Sequence, residues 1–116
     1  MRDMTETINI LPAMIIDYLT AHQARDLDAA MAHYAEDAVV VDEGNTYRGQ
    51  AEIRAWLARS ASEYTYTSTL ISAQRVDDTH YVAVHHLEGN FPGGVVDLRF
   101  QFTLRDDRIA SLVIEP

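Results

Sequence analysis

Apolar and polar positions follow mainly a helical period in the first half of the chain, interrupted by one short extended hairpin, and an alternating period in the second half. Leu11, Ile15, Tyr18, Leu19 and His22 recur at offsets of three and four, which predicts a first helix over residues 12–24 with Pro12 suited to its first position. Tyr18 then faces inward, with His22 one turn away. Asp26 can cap a second helix through Ala29, Ala30, Met31 and Tyr34, ending near Ala35, because its carboxylate accepts from the amides of the first turn. From Ala38 the run Ala38-Val39-Val40-Val41 is extended and delivers Asp42, and Gly44-Asn45 offers a turn into a short return strand over residues 46–48. Past Gly49, the residues Ile53, Trp56 and Leu57 make one apolar stripe of a third helix that ends near residues 60–62.

The second half alternates. Extended runs cover residues 64–76, 80–88, 95–105 and 108–114, separated by Asp77-Asp78, by a Gly- and Pro-containing turn over residues 89–94, and by Asp106-Asp107. The third run is the clearest, since Val96, Leu98, Phe100, Phe102 and Leu104 alternate with Asp97, Arg99, Gln101 and Thr103. Early helices and a late antiparallel meander imply an α+β domain with helices over one sheet face. A sheet of this size curls, so the covered face encloses a cone lined by the first helix, the first strand and the long strands.

Composition narrows the partners. The 116 residues suit one domain, and 18 acidic against nine basic residues, all arginine, give a formal charge of -9. That balance disfavours nucleic acid and anionic membranes. No cysteine is present, which excludes disulfides and thiolate metal sites and is compatible with a reducing cytoplasm. Residues 1–9, with Arg2, Asp3 and Glu6, contain no long apolar stretch, so neither a signal peptide nor a membrane span is expected and the expected location is cytoplasmic.

Two side chains bring chemistry to the cone. A phenol that donates, Tyr18, and a carboxylate that accepts, Asp42, are the minimal kit for moving a proton next to a carbonyl. Each has a plainer reading: Asp42 as a solvated turn acid, Tyr18 as a core residue whose hydroxyl finds any acceptor. His85 and His86 are strand neighbours that point to opposite faces, so they do not chelate one ion and no metal site is expected. His85 shares the more apolar face with Tyr81, Ala83 and Leu87, and is either a further acid/base group or a satisfied core histidine. Trp56, Phe100, Phe102 and His22 are candidate ligand contacts, each of which can equally be core, while Arg48 is expected to pair with an acid such as Asp37 or Asp42.

The order of elements carries a resemblance. Tyr18 is followed eight residues later by Asp26-Leu27-Asp28, then by Tyr34-Ala35-Glu36-Asp37-Ala38, Val41-Asp42, Gly44 and Arg48-Gly49. This arrangement resembles the nuclear transport factor 2-like superfamily, in particular its SnoaL-like and ketosteroid isomerase-like members. The resemblance covers nearly the whole chain and implies a single domain over residues 1–116. Its implied fold is a cystatin-like cone, with three N-terminal helices on a curved mixed or antiparallel sheet. In ketosteroid isomerases a tyrosine at the position of Tyr18 donates to the oxyanion and an aspartate at the position of Asp42 shuttles the proton. Their second donor, a protonated aspartate, corresponds to a position on or near Phe100, so that donor looks missing here. Asp97 does not replace it, because its odd offset from Phe100 turns it to the opposite sheet face.

Two classes of function follow. One is a cofactor-independent isomerase, cyclase or lyase acting on a small apolar carbonyl compound. The other is a noncatalytic dimeric module whose cone binds a hydrophobic ligand or is filled, with Asp97, Arg99 and Gln101 on a homodimer face.

Overall fold

The computed structural model describes residues 10–116; residues 1–9, in which no signal peptide is expected, lie outside the described residues. Helices α1 (Ala13–Gln23) and α2 (Leu27–Met31) precede strands β1 (Tyr34–Asp42) and β2 (Asn45–Arg48), and α3 (Gly49–Glu63) leads into β3 (Tyr66–Arg75), β4 (His80–Gly89), β5 (Val95–Arg105) and β6 (Arg108–Glu115). The sheet runs β2-β1-β6-β5-β4-β3. β3 to β6 form the antiparallel meander read from the alternation, while β1 joins β6 in parallel, so the sheet is mixed.

Helices cover one sheet face, as the spacing requires. Ile15 and Tyr18 of α1 and Ile53, Trp56 and Leu57 of α3 are buried against Val40, Phe102, Leu112 and Ile114 of the strands. Asp26 caps α2 as expected, accepting from Ala29 N at 3.2 Å. Three local expectations are corrected. α2 stops at Met31, and Tyr34 and Ala35 open β1 instead of closing the helix. Tyr34 is fully buried and pairs with Ile109 of β6, a tertiary pairing that outweighs a helical spacing with no partner of its own. The turn after Asp42 lies on Glu43-Gly44, both at positive φ (52° and 77°), a pair that matches the twist of a two-residue hairpin. Asp37 pairs with Arg105 and Asp42 accepts from Trp56, so Arg48 is bound by neither acid expected for it.

Strand alternation sets what reaches the cone. In β1 it turns Ala38, Val40 and Asp42 to the helix-covered face. Across the sheet Asp42 is level with Ile114, which is level with Phe100, so the three strands present this row at one height. No described helix is long and apolar enough to cross a membrane.

Candidate functional site

At its mouth the cone is open. A cleft of ≈ 760 Å³ is walled by Asp42 of β1, Trp56 of α3, Tyr66 of β3, Leu87 of β4, Leu98 of β5 and Ile114 of β6. That volume lies in the range of small-molecule sites. Asp42 is half-buried there, and Trp56 donates its indole N–H to Asp42 Oδ2 at 3.0 Å. Tyr47 stacks on Trp56 with ring centroids 6.0 Å apart, and Arg59 donates to the Tyr47 hydroxyl at 2.8 Å, so the indole that orients the carboxylate is itself held. Burial raises the pKa of Asp42 above its ordinary value, and nearby Glu63 adds to the rise. Trp56, the Glu43 backbone and Arg59 pull the other way and leave burial dominant.

Deeper in, the cone is filled. Tyr18 is fully buried, its hydroxyl bonded to that of Tyr34 and its ring edge-on to Phe102. Burial pushes both phenols up, so they stay protonated. Phe100 and Phe102 are buried and packed in parallel, and Phe100 meets His85 with ring centroids 5.0 Å apart. His22 lies between Tyr18, Trp56 and Phe100. Burial holds both His22 and His85 down to a pKa of about 4, with His85 further lowering His22. Both imidazoles are therefore neutral at pH 7.

The expected residues thus divide by depth. Asp42 and Trp56 meet on the cleft wall. Tyr18, Phe102, Phe100, His22 and His85 lie in the inner end, and none of these five lines the cleft. The charge of Asp42 still acts on Tyr18, so the two sense each other across the cone without touching. Three phenols do line the cleft, Tyr47, Tyr64 and Tyr66, and sequence reading missed all three; the Tyr47 hydroxyl is held by Arg59, and Tyr66 is the one that also reaches towards the inner end beside His85. Tyr66 is the first to consider. It is half-buried, the Arg25 guanidinium lies 5.7 Å from its ring centre, and the Asp42 charge acts on it as well. Its signal was available: it is the first residue of β3 on the inward parity, opposite Gly89.

Inner packing gives a test that needs no ligand. Tyr18→Phe leaves the Tyr34 hydroxyl buried without its partner, which costs about 1–3 kcal/mol, whereas Tyr18→Phe/Tyr34→Phe removes both groups and recovers most of the loss. Urea unfolding of wild type and the two variants measures this. Equal stability of wild type and the single variant would show that the pair carries no weight.

The outer sheet face is a separate surface. There His86 Nδ1 meets Asp97 at 2.6 Å and Nε2 meets Glu88 at 3.3 Å, and these acids raise the pKa of His86. His85 and His86 do point to opposite faces, His85 buried and His86 bound to these acids. Among the described residues no three His, Cys, Asp or Glu side chains are grouped to hold a metal ion.

Solved structures share this architecture. A Sinorhizobium meliloti protein that carries the name polyketide cyclase is 33% identical, with a TM-score of 0.85 over 90% of this chain and 95% of its own. A Catenulispora acidiphila protein with a ketosteroid isomerase-like fold, solved with trimethylamine, is 21% identical with a TM-score of 0.78 over 90% of this chain and 85% of its own. A Mycobacterium tuberculosis protein solved with estradiol-17β-hemisuccinate is 16% identical with a TM-score of 0.75 over 90% and 91%. At those lower identities the likeness is one of fold. Curated proteins gave no match. The model of the SnoaL-like domain matches residues 15–112, most of the cone from α1 to β6, and the chain belongs to that family.

Proposed function

We propose that the chain is a small-molecule pocket protein in which Asp42 moves a proton on an apolar carbonyl compound held in the cleft, without a cofactor. The observation that carries this reading is Asp42 itself, a desolvated carboxylate oriented by Trp56 on the wall of a cleft large enough for such a compound. The indole holds Oδ2 and fixes the plane of the carboxylate, which takes a proton from the carbon next to the carbonyl. The electron pair moves to the carbonyl oxygen as the enolate forms, and in this reading Tyr66, one of the phenols on the cleft wall, donates to that oxygen. Return of the proton to the same or a neighbouring carbon completes exchange or isomerisation. Attack of the enolate carbon on a second carbonyl would complete an aldol-type cyclisation. In this reading Tyr18, held by Tyr34, stays in the core and does not touch the substrate.

The test uses 2-tetralone, a fused-ring ketone with an acidic carbon beside the carbonyl. Its hydrogen–deuterium exchange in heavy water is followed by proton NMR with and without the protein. Exchange faster than in buffer supports the reading; a rate equal to buffer at saturating protein would remove enzymatic proton transfer on such ketones.

A second reading rests on the filled inner end: the cleft binds an apolar ligand and no reaction follows. Both readings take the polar outer face, with Asp97, Arg99 and Gln101, as a homodimer surface. Light scattering at micromolar concentration checks it, and a monomer mass would reject it.

A further inference from the structure

One buried group at the inner end has no partner. His85 is 2% exposed, its Nδ1 lies 3.1 Å from Ser68 Oγ, and its Nε2 makes no hydrogen bond among the described residues. Leaving such an atom unpaired costs on the order of 1–3 kcal/mol, and unpaired buried polar atoms are scarce enough in folded chains to call for a cause. His85 borders a small void of ≈ 10 Å³, together with His22, Ser68, Phe100, Tyr66 and Leu87. The void has room for about one water-sized group and for no ring. Tyr66 and Leu87 also line the 760 Å³ cleft, so these two side chains are the partition between void and cleft.

We propose that the void is a polar subsite of the cleft, which receives the hydroxyl or carbonyl oxygen of an elongated apolar ligand and bonds it to His85 Nε2. This deepens the reading of the cleft as a small-molecule pocket and rests on it. The ligand class follows from the size and polarity of the two compartments. The cleft takes an apolar body, and the void that His85 lines takes one oxygen, reached when Tyr66 and Leu87 move apart. Ser68 leaves two tautomers open. If its hydroxyl donates to Nδ1, then Nε2 carries the proton and donates to a carbonyl or hydroxyl oxygen; if Nδ1–H donates to Ser68, then Nε2 accepts from a hydroxyl. A hydroxyl satisfies both cases and is the group to use as a probe. Burial keeps the imidazoles of His85 and His22 neutral, so the subsite suits an uncharged group better than an anion.

The experiment compares 2-naphthol with naphthalene, which share one apolar body and differ by one hydroxyl. Binding to wild type and to His85→Leu is measured by fluorescence titration, and histidine-labelled wild type is followed by ¹⁵N NMR. Wild type is expected to prefer 2-naphthol by about tenfold or more, the worth of satisfying one buried polar atom. His85→Leu is expected to lose that preference, and 2-naphthol alone is expected to shift the His85 Nε2 resonance. The resonance in the wild-type protein keeps the test decisive if His85→Leu folds poorly. Equal binding of both probes with an unmoved Nε2 would overturn the subsite and leave the pocket standing. Binding of neither probe up to its solubility would overturn the pocket reading and the subsite with it.

Discussion

Asp42→Asn is expected to slow 2-tetralone exchange by roughly 10²- to 10⁴-fold, the usual worth of a positioned general base, while the protein stays folded. Asparagine keeps the volume of the side chain and an oxygen that accepts from the Trp56 indole, so the hydrogen bond at 3.0 Å has a successor. What disappears is the titrating charge. Burial raises the pKa of Asp42, which means that the folded protein binds this proton more tightly than the unfolded chain does. The ionised carboxylate therefore lowers stability at pH values above its raised folded pKa. That penalty vanishes below the unfolded value of 3.8. Asp42→Asn should accordingly unfold at the same or a higher urea concentration than wild type at pH 7, with the difference fading towards about pH 4. Lost exchange with retained or raised stability identifies a residue kept for chemistry at some cost to the fold. Lost stability with unchanged exchange would instead make Asp42 a structural acid at a strand end.

Acid should weaken the fold strongly through two histidines. His22 and His85 are held at a pKa of about 4, against an ordinary value of 6.5 in the unfolded chain. Below about pH 6.5 the unfolded chain takes up both protons while the folded protein refuses them until near pH 4. The stability due to keeping them neutral is thus fully present above about pH 6.5 and is lost as the pH falls towards 4. Each histidine accounts for about 2–3 kcal/mol of that loss, a large share of what holds a domain of this size together. Protonation of Asp42 works in the opposite direction and offsets part of it. Urea unfolding at pH 7 and at about pH 4.5 measures the sum, and His85→Leu should remove close to half of the slope. A flat stability between these two pH values would show that the inner imidazoles are solvated rather than enclosed.

Much of this architecture is legible in the alternation of residues. β5 announces itself because every second side chain from Val96 to Leu104 is apolar, and burial follows that parity at Phe100 and Phe102. The same rule turned Asp42 inward and separated His85 from His86. Local pattern failed where a distant partner decides. Tyr34 fits the helical spacing after Met31, yet it is drawn into β1 by Ile109 and by the hydroxyl of Tyr18. The candidate site was half legible for the same reason. Asp42 and Trp56 were each placed on the correct face, but their hydrogen bond depends on how α3 crosses the mouth of the cone, which no period in the sequence encodes. Tyr18 was expected beside Asp42, whereas the filled inner end gives its hydroxyl to Tyr34 and leaves the cleft to other phenols, Tyr66 among them. Depth along the cone, unlike the face of a strand, is a property of the assembled layers.

Trp56 is the single tryptophan, and its indole N–H gives one resonance that points directly at Asp42 Oδ2. Following that resonance by ¹⁵N–¹H NMR from about pH 3 to 8 reads the protonation of the carboxylate on which the proposed chemistry depends. A single inflection above 3.8 that disappears in Asp42→Asn is the expected result. An inflection at or below 3.8, or a resonance that does not move across this range, would contradict a desolvated, indole-held base at the mouth of the cone.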